Sequence, residues 1–303
     1  MSKTLQAMPV FDRMYPGANY KIVNSQGLLD RVVSPNYFHN LASFKRFKLD
    51  DHLRIPTPST EMWEPSKLFG HLMLPFPKVW IEWENRRDGG SPWWMAAACV
   101  HKTEITTFML ELFGADLSGV SGAIPESPME KSMDSNDWVM FLFELTTGTP
   151  RLIPGLLRVS LDSKGIFHGV VGQGAFGLDT TESTNALVDL GWDALAAIGL
   201  LNCRNVTTKA HDRSKNTKKR RRPNRDKAAT LEFSTIELPS LSSESISTGV
   251  RDGTMARHMA RGHFKTFTEE APLFGKYTGT YWWGWQLRGN RKNGEVISDY
   301  KVA

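Results

Sequence analysis

Residues 137–145 read DWVMFLFEL, the most apolar run in the chain. An unbroken run of this length and composition predicts a strand at the centre of a sheet. Downstream, Arg158–Leu161 and Ile166–Val171 flank the turn-forming Ser163-Lys164-Gly165 and continue the strand pattern. Upstream, Lys78–Glu84 alternates Val79, Ile81 and Trp83 against Trp80, Glu82 and Glu84, the pattern of a strand with one acidic, partly wet face. A second run, Trp93–His101, is set off from it by Asp88-Gly89-Gly90, so the two read as a hairpin, and a third strand is expected over Ile105–Phe113.

Thr184–Asn202 changes period. Leu187, Leu190, Ala194, Leu195, Ile198 and Leu201 recur at three-and-four spacing behind Ser183 or Thr184 as N-cap, which predicts one buried helix lying across the sheet. Antiparallel or mixed strands with a core helix define an α+β class. Around this centre, Phe38, Leu41, Phe44 and Phe47 suggest a small helical region within residues 1–55, and the proline-rich segment from Pro56 to Pro77 reads as a connector. Residues 1–203 are therefore expected to form the body. Residues 204–250 collapse into Lys, Arg, Ser, Thr, Asn and Pro and are expected to be a flexible basic linker. Residues 251–303 regain order as a C-terminal β-hairpin returning to the body, with strands over His258–Phe267 and Thr278–Leu287.

The net charge of +5 is unevenly placed: −5 over residues 1–203, +9 over 204–227, −3 over 228–250 and +4 over 251–303. A near-neutral body with a basic appendage points to RNA, DNA or an acidic partner. Cys99 and Cys203 alone make neither a disulfide framework nor a zinc knuckle, and imply a reducing compartment. The N-terminus lacks an apolar segment of signal-peptide length and no run approaches the roughly 20 apolar residues of a membrane span, so a cytoplasmic protein without membrane contact is expected.

Chemistry concentrates in RHMARGHFKTF (257–267) and GTYWWGWQLRG (279–289). In a regular strand Arg261 and His263 share a face with Lys265 following, while Tyr281 and Trp283 share a face on the partner strand and Trp282 takes the other. Guanidinium, imidazole and ammonium groups beside indoles can stack bases and neutralise phosphates, or grip an extended acidic peptide. The plain structural reading is that Trp282, Trp283 and Trp285 cover the core while Arg261 and Arg288 cap the sheet rim. Gly262 marks a bulge or a close backbone approach. His258 and His263 with Arg261 as phosphate clamp would suit RNA cleavage, but alternation puts the two histidines on opposite faces.

No metal or cofactor is expected, because neither histidine has a carboxylate or thiol at ligand spacing. Glu82 and Glu84 lack a second acidic cluster and are read as a solvent-facing strand edge. Gly172-Gln173-Gly174 lacks the spacing and following Lys of a phosphate loop and is read as a turn. Lys218, Lys219, Arg220, Arg221, Arg222 and Arg225 form a basic cluster suited to nucleic acid, with salt-sensitive binding.

Three pieces of the chain together resemble the second type V-A anti-CRISPR family and its relatives in phages and mobile elements: LMLPFPKVWIEWE (72–84), LAAIGLLNCRNV (195–206), and RHMARGHFKTF with TYWWGWQLRG at the end. The family's C-terminal His-x-x-Arg-Gly-His-aromatic strand matches His258, Arg261, Gly262, His263 and Phe264, and its Leu-Pro motif matches Leu74 and Pro75. The resemblance implies a phage or prophage protein that recognises the nascent N-terminal peptide of a CRISPR effector nuclease, or of another host protein, on the ribosome and lowers effector production. Under that expectation Trp80, Trp83 and the hairpin aromatics Tyr281, Trp282 and Trp283 anchor the peptide. His258, Arg261, His263, Lys265 and Arg288 supply polar and charged contacts, and the linker meets ribosomal or messenger RNA. No catalytic residue is expected; the alternatives are an RNA-cleaving enzyme using His258 and His263, and a structural nucleic-acid-binding phage protein.

Overall fold

A computed structural model of the chain describes residues 20–22, 31–33, 43–49, 69–85, 93–112, 128–145, 151–173, 181–211, 233–239, 256–260, 262–284, 286–288 and 290–295. The strands in chain order are β1 (Tyr20–Ile22), β2 (Arg31–Val33), β3 (Lys45–Lys48), β4 (Lys78–Asn85), β5 (Trp93–His101), β6 (Trp138–Glu144), β7 (Arg151–Leu161), β8 (Phe167–Gln173), β9 (Thr207–His211), β10 (Phe233–Glu237), β11 (Ala256–Ala260), β12 (His263–Phe267), β13 (Gly279–Trp283), β14 (Gln286–Arg288) and β15 (Asn290–Glu295). The helices are α1 (Ile105–Leu112), α2 (Pro128–Lys131) and α3 (Thr181–Leu201). The chain divides into two units: residues 1–202 with 208–237, and residues 203–207 with 238–303.

The first unit is α+β, built on an eight-stranded sheet of order β8-β7-β6-β5-β4-β3-β10-β9. Pairing is antiparallel from β8 to β4, and parallel where β3 meets β4 and β10. The DWVMFLFEL run supplies β6, buried along both faces, as its uniform apolarity requires. One face carries Trp80, Ala96, Ala98, Val139, Phe141 and Phe143, packed with Phe44 and with Ile105 and Phe108 of α1. Its rings meet edge-on or tilted, Phe108 to Phe141 at 5.0 Å and Trp80 to Phe143 at 5.4 Å between centroids, the geometry aromatic quadrupoles favour. The other face receives α3, whose Gly191 lies against Met140, Leu142 and Leu157.

Because both faces are covered, the expected wet acidic face of β4 fails at Glu82, while Glu84 near the strand end is half-buried. Glu82 is fully buried and accepts a 2.8 Å hydrogen bond from the Trp80 indole N–H. A carboxylate in a sheet centre needs such a donor, and alternation along the strand says nothing about what covers the second face.

Four further expectations are corrected. Ile105–Leu112 is helical: Ile105 and Phe108 are one turn apart on the buried side, and the buried Glu130 carboxylate accepts the Thr106 N–H at 2.8 Å and the Thr106 hydroxyl, satisfying the first turn. In the N-terminal region, residues 45–48 form strand β3 inside the sheet, with Phe47 buried, and β1 pairs with β2 as a separate antiparallel ribbon. Phe38 and Leu41 lie outside the described residues. Within the range expected to be an unstructured linker, β9 and β10 complete the sheet edge, held by a 3.0 Å bond between His211 Nε2 and Thr235 Oγ1 and by the His211 ring stacked on Phe233 at 5.0 Å. Gly172 belongs to β8 rather than to a turn, its N–H donating to Thr184 Oγ1 at 3.2 Å.

Thr184–Leu201 is long and apolar enough to cross a bilayer by length and composition, contrary to the expectation that no run is, but 61% of it is buried inside the fold. It is the core helix of this sheet.

The second unit contains β11 between β14 and β15, and the separate antiparallel pair β12–β13. The C-terminal hairpin is thus present, though its first strand is broken in two between Ala260 and His263.

Candidate ligand-binding face of the C-terminal ribbon

The β12–β13 register pairs His263 with Trp283, Phe264 with Trp282, Lys265 with Tyr281, Thr266 with Thr280 and Phe267 with Gly279. Alternation then sorts the ribbon into two chemically distinct faces. Phe264, Thr266, Thr280 and Trp282 make the inner one. Trp282 and Thr280 are buried, the Phe264 and Trp282 rings meet edge-on at 4.9 Å, and the two threonine hydroxyls are 2.9 Å apart.

Asn205 fastens the outer edge of β13 as a strand would. Its Oδ1 accepts the Trp282 N–H at 2.9 Å and its Nδ2 donates to the Trp282 carbonyl at 2.8 Å, while the Arg204 N–H donates to the Thr280 carbonyl at 2.9 Å. One side-chain amide thereby satisfies two strand groups.

The outer face carries His263, Lys265, Phe267, Tyr281 and Trp283. His263 and Lys265 are exposed, and the three aromatics are half-buried. Lys265 Nζ stands 4.9 Å from the Phe267 ring centroid and 5.6 Å from that of Trp283, and Phe267 lies 5.9 Å from Tyr281 and 5.8 Å from Trp283. The ammonium thus rides over an aromatic floor, and no residue of this face is acidic. Exposed Arg204 passes against Gly279, with Nε 2.7 Å from where a Cβ would stand. Sequence reasoning missed Arg204 because it lies far upstream, at the start of the polar run. Its one signal in the sequence is its place in LAAIGLLNCRNV.

Gly262 is explained by the same packing. A Cβ there would fall 2.5 Å from Trp282 Cζ2 and 2.9 Å from Cη2, so the close approach is made by an indole of this chain. Gly262→Ala is expected to displace Trp282 and destabilise the ribbon by about 1–3 kcal/mol. Hydrogen exchange at residues 263–267 checks this, and unchanged protection in the variant counts against the packing account.

The remaining candidate residues scatter. Trp80 and Trp83 are 0% and 2% exposed in the body and Trp282 is 4% exposed, so none of the three can anchor a peptide; sealed core packing takes their indoles instead. His258 and Arg288 stand opposite one another in the β11–β14 register, on a different sheet from His263. Arg261, Trp285, the Asp88-Gly89-Gly90 tip, and the cluster Lys218, Lys219, Arg220, Arg221, Arg222 and Arg225 lie outside the described residues. Among the described residues, no three His, Cys, Asp or Glu side chains gather as a metal site. Burial raises the Cys99 thiol far above its ordinary range and pushes Cys203 up to about 12, so both stay protonated and unreactive at neutral pH.

Compared with known proteins, the chain matches no family model, no curated protein and no solved structure.

Proposed function

We propose that this is a non-catalytic binding protein of a phage or mobile element, acting in the cytoplasm of a bacterial host. Its C-terminal ribbon holds an extended nascent peptide while the basic stretch around residues 218–225 holds RNA of the ribosome or message. The effect, following the family resemblance, is reduced production of a CRISPR effector. The observation that carries this reading is the outer ribbon face: an ammonium over Phe267 and Trp283, with His263 and Tyr281 on the same face and no acidic residue among the strand positions that form it. Such a floor offers flat apolar area to side chains and fixed positive charge to acidic ones, while the inner face fixes its shape.

The reading is tested by sedimenting the purified protein with translating ribosomes from cells that make the effector. Co-sedimentation that depends on the nascent chain is the expected result; a protein left in the supernatant at every salt concentration overturns it. Replacing Lys218, Lys219, Arg220, Arg221, Arg222 and Arg225 with Ser is expected to flatten the salt dependence of RNA binding. The slope of log affinity against log salt should fall by up to about 4, at about 0.7 per lost single-strand phosphate contact. An unchanged slope places the RNA contact elsewhere.

A further inference from the structure

The segment joining β12 to β13 ends in a tight, hydrogen-bonded tip. The Leu273 N–H donates to the Tyr277 carbonyl at 2.7 Å and the Tyr277 N–H to the Leu273 carbonyl at 3.0 Å, while the Lys276 N–H reaches the Leu273 carbonyl at 3.1 Å. The two residues at the apex, Phe274 and Gly275, both take positive φ, 53° and 70°. This is the pattern of turns that ordinarily place Asn or Asp before Gly, because their short polar side chains tolerate the left-handed region. An aromatic residue there is an outlier, and it is 87% exposed. Tyr277 beside it is 46% exposed, and Lys276 Nζ stands 5.3 Å from the Tyr277 ring. Strain at so exposed a residue points to recognition rather than to folding.

We infer that this tip is a stacking finger for single-stranded nucleic acid: Phe274 takes a base on its open face, Tyr277 offers a second ring, and Lys276 meets the phosphate between them. The chemistry selects this partner. Two rings are too little apolar area to hold a chain on a bilayer. Base stacking needs only an accessible ring and a nearby cation, and the chain already carries a +9 stretch suited to a polyanion. The inference goes beyond the proposed function, sharing with it only the contact with RNA.

The test uses the full chain and a fluorescein-labelled uridine dodecamer carrying one 2-aminopurine. Phe274→Asn suits the turn and removes the ring. It is expected to fold with an equal or higher Tm, to bind the dodecamer about tenfold more weakly, the order expected for one lost stack, and to lose the 2-aminopurine quenching, all with the salt slope unchanged. The Ser variant of the basic cluster is expected to show the opposite: a flatter slope with the quenching retained when saturated. Equal binding and quenching by Phe274→Asn and the unmodified chain overturn the inference, as does failure of the unmodified chain to bind the dodecamer. Loss of binding to phosphatidylcholine vesicles in place of the dodecamer also overturns it, assigning the tip to a bilayer. None of these outcomes depends on ribosome sedimentation, so the two readings fail separately.

Discussion

Asp137→Ala is expected to lower the unfolding free energy by about 3–5 kcal/mol, the cost of removing one partner of a buried ion pair. The Asp137 side chain is fully buried at the head of β6 and holds three groups. It accepts the Leu161 N–H at 3.0 Å, the Asp134 N–H at 3.1 Å and Arg158 Nη2 at 3.0 Å. Arg158 is only 22% exposed, and its other contacts, the Ser132 carbonyl at 2.9 Å and the Ser132 hydroxyl at 3.4 Å, cannot neutralise it. Alanine therefore strands a guanidinium and two backbone donors at the point where β6, β7 and the loop before β6 meet. Asp137→Asn keeps an acceptor but not the charge and should fall between. Urea unfolding reads the effect; an unfolding free energy within about 1 kcal/mol of the parent's, at unchanged m-value, would mean that the network contributes little.

The second large effect is expected in the ribbon, where neighbouring tryptophans answer differently. Trp282→Ala empties the inner face beneath Gly262 and beside Phe264, and should cost about 3–5 kcal/mol of local stability. Amide protection should disappear across residues 263–267 and 279–283. The double variant Trp283→Ala, Lys265→Ser removes the largest ring of the floor and its cation but leaves Asn205, Trp282 and the paired threonines in place. It should keep ribbon protection and lose ribosome association at least tenfold, as removal of a central aromatic anchor does. If Trp282→Ala kept its protection while the double variant lost it, the assignment of faces would be reversed.

The sequence was most legible where one physical demand dominated. DWVMFLFEL had to be central, Trp93–His101 matches β5 end to end, and the spacing of Leu187 to Leu201 found the core helix, which begins at Thr181. It was least legible where a distant partner decides. Nothing near Thr106 announces that Glu130 closes the first turn of α1, and nothing in Lys78–Glu84 announces that a second layer covers Glu82. Strand β9 is polar because it is the sheet edge, with residues 207–210 exposed, and the short β10 inside it, with Phe233 and Ile236 buried, is flanked by polar sequence, so composition alone made both look like linker.

The candidate site was half legible. Alternation separated Trp282 from Tyr281 and Trp283 and put Lys265 with His263, as the register has it. The break in the first strand removed His258 from that face, burial removed Trp80, Trp83 and Trp282, and Arg204 and Asn205 joined from upstream. The strained Phe274 passed unnoticed because an aromatic before Gly carries no turn signal of its own.

The claim on which the account rests is that the outer face of β12–β13 touches a growing polypeptide. Placing p-benzoylphenylalanine at Tyr281 or, as a control, at the inner-face Phe264, and illuminating each protein in a lysate translating the effector, tests it directly. A crosslink from position 281 to the nascent chain and none from 264 is the expected result. Ribosome-bound protein that crosslinks from neither position, or equally from both, would contradict it.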